Sequence, residues 1–358
     1  DSGAGTDEVV LLDYGKHQRR LLPRVAQTYA QYFSHDELLR KFDGVFGGTA
    51  DTPEEREDLE TLAAALKPLS TWNALDTIQD CREACGGSGF LAENRMVGLH
   101  QDLDVYVTFE GDNNILLQLV GKRLLSDYAK QFKGADAAAL AKYAVGQTAG
   151  KVFHGAGLRR FGQAVADFGS TARSVELGLR AEQQHELLTD RVEQMISDIA
   201  TRLRPAAKAS QAEAAAMFNA VQAELIEAAR AHGELLQWEA FTDAVNKIQD
   251  EGTRQVLTWL RDLFGLSIIE KHLAWHIING RLSTQRAASV GRYIDRLALR
   301  LRPHAQDLVD AFGFEPEHVR APIASGAEQA RQDEARAYYA DLAASGSAPV
   351  SEKSLKKK

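Results

Sequence analysis

Most of the sequence carries apolar residues at helical spacing, which leaves little room for a fold other than an α-helical one. The alternation of apolar and polar residues that is typical of half-buried strands is nearly absent. Because antiparallel packing buries such stripes, we predict an all-α fold in which one helical bundle is followed by a second. Between residues 14 and 33, for example, one apolar stripe is formed by Leu21, Leu22, Val25, Tyr29, Tyr32 and Phe33.

Helix boundaries follow from capping residues, proline and glycine. Residues 52–55 (TPEE) are typical of a helix start, and Pro68 is expected to end or kink that helix. Gly86 and Gly87 predict the end of the next helix. From there the helical stripe lapses, so we predict an extended loop over residues 102–113 (DLDVYVTFEGDN) before helix resumes.

The 358 residues are enough for about two domains. We predict a helical bundle over residues 1–140 and a second over 141–325, because small residues accumulate at 134–151. Residues 326–358 lack an apolar stripe and are predicted to form a polar, mobile tail. In the second bundle, long amphipathic segments are expected at 192–203, 212–231, 235–248 and 256–278.

The charge of the chain argues against nucleic acid as a partner. Forty-two basic and fifty acidic residues leave a net charge of −8, which gives no broad attraction for phosphate backbones. The most apolar long stretch, residues 256–280, is predicted to be a core helix and not a membrane span, because burying charges in lipid is costly. The charges that interrupt it are Arg261, Asp262, Glu270 and Lys271.

Cysteine usage and the chain ends bear on the compartment. Two cysteines, Cys81 and Cys85, indicate a reducing environment and are expected to be buried thiols. No secretory signal pattern occurs in the first thirty residues, and the terminal SLKKK differs from a peroxisomal Ser-Lys-Leu ending. We therefore expect a bacterial-type cytoplasmic protein. His272 and His276 have the spacing of a helical metal pair but no evident third ligand, so no metal site is predicted.

Two groups of residues could carry chemistry. Glu110 follows aliphatic and aromatic residues, whose walls would raise its pKa toward that of a useful general base; alternatively it is an acid at the start of a helix. Asp112 and Asn113 have the same two interpretations. Likewise, Gly86 and Gly87 could let a backbone approach a phosphate or a ring, or could only cap a helix.

Two blocks closely resemble the signature blocks in the C-terminal half of acyl-CoA oxidases, relatives of the acyl-CoA dehydrogenases. They are CREACGGSGF at 81–90 and TFEGDNNILLQLVGKRLL at 108–125. The segment at 11–30 is similar to the family's helix that opens this half, and those at 260–283 and 308–323 are similar to its terminal helical domain. The resemblance covers nearly the whole chain.

The resemblance implies roles for particular residues. The glutamate of the family's Phe-Glu-Gly motif is the catalytic base, and this position is Glu110. Phe109 would line the thioester pocket, with Gly111 beside it. The residues implied to contact FAD are Gln18, Glu83, Gly86, Gly87, Asp112 and Asn113.

The resemblance also implies a reaction. Acyl-CoA would be desaturated to trans-2-enoyl-CoA, as in fatty acid β-oxidation, while oxygen is reduced to hydrogen peroxide. The family's N-terminal helical domain and β-domain have no counterpart here, so we expect the chain to be inactive alone. It would act as a homo-oligomer, such as a dimer, or with a separate N-terminal chain. The alternatives are an acyl-CoA dehydrogenase and a non-catalytic helical oligomerisation scaffold.

Overall fold

The fold is all-α, as predicted. A computed structural model describes residues 9–132 and 179–347, and within these ranges the regular structure is helical, without strands. The α-helices are α1 (Gly15–Phe46), α2 (Pro53–Ala84), α3 (Met96–Asp104), α4 (Asn113–Phe132), α5 (Ala181–Leu203), α6 (Gln211–Lys247), α7 (Glu251–Lys271), α8 (Leu273–Ile278), α9 (Thr284–Leu301), α10 (Ala305–Asp310), α11 (Pro316–Val319) and α12 (Ala327–Ala344). Short 3-10 turns include Gly86–Phe90, Ala92–Asn94, Val105–Val107 and Pro322–Ala324.

The contacts divide the chain into two compact units. Among the described residues, the first unit contains 9–77, 103–132 and 179–309, and the second contains 78–102 and 310–347. This division differs from the predicted one because the N-terminal helices α1 and α4 pack on α6 from the later part of the sequence. The predicted boundary near residue 140 lies outside the described residues and stays a prediction.

The core of the first unit is organised around α6. A capping box starts this helix: Ser210 Oγ accepts a hydrogen bond from the N–H of Glu213, whose carboxylate accepts one from the N–H of Ser210. The helix packs on α1, α4, α5 and α7. On one side, α2, α4 and α6 share an apolar cluster made of Ala64, Ala65, Leu117, Val120 and Ala229. That cluster packs the first turns of α4 against the rest of the first unit, and thereby also positions the turn that precedes α4.

The predicted helix end at Pro68 and the predicted gap between residues 231 and 235 do not occur, whereas a kink at Pro68 stays a prediction. The chain continues as helix through Pro68, because the loss of one backbone hydrogen bond is offset by the burial of Leu66, Pro68 and Leu69. Segments 212–231 and 235–248 are one helix, α6. A Cβ at Gly233 would lie 2.7 Å from Leu69 Cδ1, so this glycine permits close packing and does not end a helix. The predicted start of α2 is confirmed, since Thr52 Oγ1 accepts from the N–H of Glu55.

Three other segments also differ from the prediction. The predicted loop at 102–113 begins inside α3 and continues into a 3-10 turn, closed by a 2.8 Å hydrogen bond from Phe109 N–H to the Val105 carbonyl. The segment 256–278 is divided between α7 and α8 at His272. The predicted mobile tail contains α12, because its alanine, glutamate and arginine residues favour helix without an apolar stripe.

A buried ionic cluster joins α5, α6 and α7. Arg191 donates to Glu234 (3.0 Å) and to Glu227 (2.7 Å), and the Arg191 and Glu234 side chains are 3% and 8% exposed. Lys271 Nζ and His272 Nε2 lie 3.6 and 3.7 Å from the Glu234 carboxylate. Burial alone would raise the pKa of Glu234, but the polar contact with His272 and the charges of Lys271 and Arg191 outweigh it and lower the pKa to about 2. The cluster therefore holds a charged carboxylate inside the bundle.

The apolar stretch around α7 belongs to this bundle. Leu260, Leu263, Leu266 and Ile269 are fully buried. None of the helices in residues 9–132 and 179–347 combines the length and apolar character needed to cross a membrane.

Candidate active site

A tight turn presents Glu110 between the Val105–Val107 3-10 turn and α4. Glu110 has φ of 56° and Gly111 has φ of 105°, so two consecutive residues are in the left-handed region. For a residue with a Cβ this conformation costs about 1–2 kcal/mol. A Cβ at Gly111 would also lie 3.1 Å from Leu116 Cδ2. The backbone is strained at the residue implied to be the base, and glycine is required at the next one.

Asp112 caps the helix that follows. Its Oδ1 accepts hydrogen bonds from the N–H groups of Asn114 (2.9 Å) and Ile115 (3.3 Å), which have no partner inside the helix. This is the capping interpretation that the residues alone had left open. Contact of Asp112 with a cofactor stays a prediction.

Asn113 anchors the turn to α2. It is 1% exposed; its Oδ1 accepts from Lys67 Nζ (2.8 Å), and its Nδ2 donates to Thr71 Oγ1 (2.9 Å). Lys67 Nζ also donates to the Gly111 carbonyl (2.6 Å). Since both polar atoms of the amide are engaged within the chain, Asn113 acts here as an anchor, and its predicted cofactor contact gains no support.

Sequence reasoning missed Lys67 and Thr71. Lys67 stands one residue before Pro68 in an apolar run and belongs to no recognisable motif. Its importance follows from the packing of α2 against α4, which brings residues more than forty positions apart into contact. A lysine on the buried side of an amphipathic helix was the one available signal.

The surface around Glu110 is apolar and exposed. Glu110, Tyr106 and Phe109 are all exposed in this chain, so the expected enclosure of Glu110 by aliphatic and aromatic walls stays a prediction. The Tyr106 and Phe109 rings contact each other edge to face, with centroids 6.2 Å apart. The exposed apolar residues of this Glu110 surface are Val105, Tyr106, Phe109, Ile115 and Leu119, each between 46% and 61% exposed.

The glycine turn in the second unit contains glycines with different constraints. The predicted helix end is confirmed, since α2 ends at Ala84. Gly86 has φ of 57°, and a Cβ at Gly89 would clash with the Arg82 carbonyl oxygen, so conformation and packing require these two glycines. Gly87 has no left-handed φ, and no atom lies within 4 Å of the position that a Cβ would take there. Nothing in the described part of this unit therefore explains a glycine at 87.

The two other residues implied to contact FAD differ in exposure. Glu83 is exposed and accepts a 2.7 Å hydrogen bond from Gln79 Nε2. Gln18, on α1, is 2% exposed, which leaves it almost no surface for a ligand within this chain. Both cofactor contacts remain predictions.

The histidines and cysteines have no assigned function, and the absence of a metal site stays a prediction. The part of the chain that the structure describes contains no group of three or more His, Cys, Asp or Glu side chains placed to hold a metal ion. His272 faces the Glu234 carboxylate, and His276 is fully buried. Cys81 and Cys85, which were expected to be buried, are half-buried and form no disulfide, and burial raises the pKa of Cys85, which disfavours the reactive thiolate.

The strain at Glu110 leads to a stability prediction. Because glycine adopts the left-handed region freely, Glu110→Gly is expected to leave the free energy of unfolding unchanged or to raise it by up to about 1 kcal/mol. Gly111→Ala should instead lower it by about 1–2 kcal/mol. Urea denaturation of the two variants checks the opposite signs; an equal loss at both positions would contradict the strained turn.

Comparisons with known proteins identify the family. Two family models match: "Acyl-CoA oxidase, C-alpha1 domain" over residues 1–125 and "Acyl-CoA oxidase" over residues 180–326. A putative peroxisomal acyl-coenzyme A oxidase 3.2 of Arabidopsis thaliana is 31% identical over 324 residues, which are 90% of this chain and 44% of that protein. The human peroxisomal acyl-coenzyme A oxidase 3 is 43% identical over 131 residues, 35% of this chain and 19% of that protein. The chain thus spans less than half the length of these relatives.

Solved structures show the same fold. An acyl-CoA oxidase from tomato superimposes with a TM-score of 0.73 at 24% identity, over 90% of this chain and 46% of that one. Acyl-CoA oxidase-2 of Caenorhabditis elegans, bound with FAD, ascaroside-CoA and ATP, gives 0.70 at 20% identity, over 89% of this chain and 45% of that one. These helical neighbours agree with the all-α prediction.

The comparisons correct one prediction and confirm another. The expected bacterial-type cytoplasmic location is wrong, because the relatives are eukaryotic proteins named as peroxisomal. Proteins are directed to compartments by short targeting signals that receptors recognise, so the net charge and the cysteine content of a chain say little about its location. The resemblance to the C-terminal half of acyl-CoA oxidases is confirmed by both family models. This chain belongs to the acyl-CoA oxidase family.

Proposed function

We propose that this chain supplies the catalytic base and part of the FAD site of a peroxisomal acyl-CoA oxidase, which forms trans-2-enoyl-CoA and hydrogen peroxide from acyl-CoA and oxygen. The observation that carries the proposal is the strained, anchored turn at Glu110. Strain at a polar residue is retained where the surrounding structure enforces it, and such residues cluster at active sites. Here the enforcing contacts come from Lys67, Thr71 and the Asp112 cap.

The chemistry assigned to Glu110 is proton abstraction. The thioester carbonyl acidifies the α-hydrogen of the substrate, and the Glu110 carboxylate takes that proton as a general base. The backbone N–H of Glu110 is proposed to donate to the thioester oxygen, where negative charge develops. FAD, when bound, accepts the β-hydrogen as hydride and passes the electrons to oxygen.

The residues of the glycine turn fit a cofactor that approaches closely. Gly87 has open space where a Cβ would lie, and nothing in the described residues of the second unit requires glycine there. A bound ring or phosphate would explain it, because only glycine lets a ligand reach the backbone so closely. Gly86 and the exposed Glu83 are proposed to line the same site. Gln18, which is 2% exposed, offers almost no free surface to such a cofactor.

The exposed Glu110 surface requires a cover. A base that faces water is poorly matched to abstracting a weakly acidic proton, whereas exclusion of water strengthens electrostatic interactions in a site. Exposed apolar patches of this kind mark interaction surfaces. We propose that a further part of the enzyme, or a second copy of the chain, covers Val105, Tyr106 and Phe109 and completes the substrate site.

The experiment compares the 358 residues alone with the flavin-loaded enzyme that contains them. The chain alone is expected to release no peroxide from acyl-CoA, whereas the complete enzyme should be reduced by acyl-CoA without oxygen and then release peroxide rapidly when oxygen is admitted. Slow reoxidation would indicate a dehydrogenase. Failure to bind flavin at all would support a non-catalytic helical scaffold and contradict the proposal.

A further inference from the structure

We infer that Lys67 is a positioning residue that sets the place and the charge environment of Glu110. The inference rests on the proposed function, since it concerns the same carboxylate. It adds a residue outside the two sequence blocks that carry the family resemblance. Lys67 belongs to α2, in the body of the first unit, whereas Glu110 belongs to the turn before α4.

Lys67 holds the turn that carries Glu110 by two hydrogen bonds. Lys67 Nζ donates to the Gly111 carbonyl (2.6 Å) and to Asn113 Oδ1 (2.8 Å), so it holds the residues on the C-terminal side of Glu110. The two bonds tie the Gly111 carbonyl and the Asn113 side chain, on either side of Asp112, to α2, and this limits where the turn can place Glu110. They restrain a turn that contains two consecutive residues in the left-handed region, a conformation that costs energy at Glu110.

Thr71 provides a second tie between α2 and the turn. Asn113 also donates to Thr71 Oγ1, one helical turn beyond Lys67 on α2. Thr71 in turn donates to the carbonyl of Lys67 (3.1 Å). The turn is therefore tied to α2 at adjacent points by Lys67, which is charged, and by Thr71, which is neutral. This arrangement allows position and charge to be tested separately.

Lys67 also brings a positive charge to the turn. Burial lowers the pKa of Lys67, while the negative charges of Asp112 and Glu110 oppose that effect. The ammonium group is thus partly desolvated and lies within the field of both carboxylates. Removal of this ammonium group would therefore take a positive charge away from the turn that carries Glu110.

The test uses the flavin-loaded enzyme that contains this chain. Lys67→Met should lower kcat about 10-fold to 100-fold with a smaller change in KM, because a displaced base loses alignment with the substrate. The acidic limb of the pH profile of kcat should move to higher pH, because the ionised base has lost a neighbouring cation. If the Lys67→Met protein does not fold, the same measurements are made on Lys67→Gln.

Matched variants separate the contributions. Thr71→Val removes the neutral tie and should lower kcat without moving the acidic limb. Lys67→Arg keeps the charge and should keep the limb in place. Lys122→Met is the control: it removes an exposed lysine of α4 that lies over the Phe218 ring, and it should leave kcat and the pH profile unchanged. Amide hydrogen exchange at residues 109–113 should accelerate in Lys67→Met and Thr71→Val but not in Lys122→Met.

The outcomes distinguish failure of this inference from failure of the proposed function. If Glu110→Gln abolishes turnover while Lys67→Met and Lys67→Gln behave like Lys122→Met, Lys67 has no positioning role. If the Lys67 variants lower kcat but leave the acidic limb unmoved, the charge contribution is refuted and only a structural tie remains. If Glu110→Gln turns over like the wild type, the proposed base is wrong and the inference falls with it.

Discussion

Replacing Glu110 with glutamine in the flavin-loaded enzyme is expected to lower kcat by about two to four orders of magnitude, the usual contribution of a general base. Glutamine is nearly isosteric but cannot accept the proton, so KM should change far less. Because the side chain is exposed and its backbone strain is unaffected, the unfolding free energy of the chain should stay within about 0.5 kcal/mol. Stopped-flow measurement of flavin reduction isolates the step in which the proton leaves.

The control for that variant is Glu182→Gln, an identical change at an exposed glutamate in the first turn of α5. It should have no effect on flavin reduction. Glu110→Asp keeps the carboxylate but withdraws it by one methylene, and we expect an intermediate rate. A Glu110→Gln enzyme that reduces its flavin as fast as the wild type would refute the assignment of the base.

Replacing Arg191 with methionine should lower the free energy of unfolding by about 3–5 kcal/mol, as expected when one partner of a buried ion pair is removed. The change leaves the Glu234 carboxylate, 8% exposed, without its closest cation. Lys271 and His272, at 3.6 and 3.7 Å, compensate in part and favour the lower end of the range. Urea denaturation at pH 7 measures the loss.

A matched pair on the same two helices provides the control. Arg202 on α5 also pairs with a glutamate on α6, Glu224, but these side chains are 48% and 52% exposed. Arg202→Met should therefore cost no more than about 1 kcal/mol. A double variant, Arg191→Met with Glu234→Leu, should recover much of the lost stability, because it removes the buried charge together with its partner. Equal losses at Arg191 and Arg202 would contradict the importance of burial.

The apolar Glu110 surface and the buried ionic cluster differ in whether the chain alone completes them. The cluster is complete within the first unit, since Glu234 has its cations on α5 and at the end of α7. The Glu110 surface leaves Phe109 53% exposed next to the proposed base. We therefore expect changes at Arg191 to affect the isolated chain and changes at Phe109 to affect only the complete enzyme.

Local sequence alone determined the helical character of the chain, the start of α2 at its Thr-Pro-Glu-Glu run and its end near the glycine turn. These features depend on periodicity and on hydrogen bonds between residues three or four positions apart. The two sequence blocks also sufficed to identify the family and to single out Glu110. Such information is contained in short segments and needs no long-range contact.

Tertiary structure decided what depends on distant partners. Pro68 lies inside a helix because the packed core around it outweighs one lost hydrogen bond, and Gly233 is a packing site because Leu69 fills the space. Lys67 reaches the Glu110 turn only because α2 and α4 share a core with α6. The exposure of Glu110 likewise follows from which elements pack against the turn and which do not. A one-dimensional pattern specifies which residues can be buried, but the free energy of packing selects their partners.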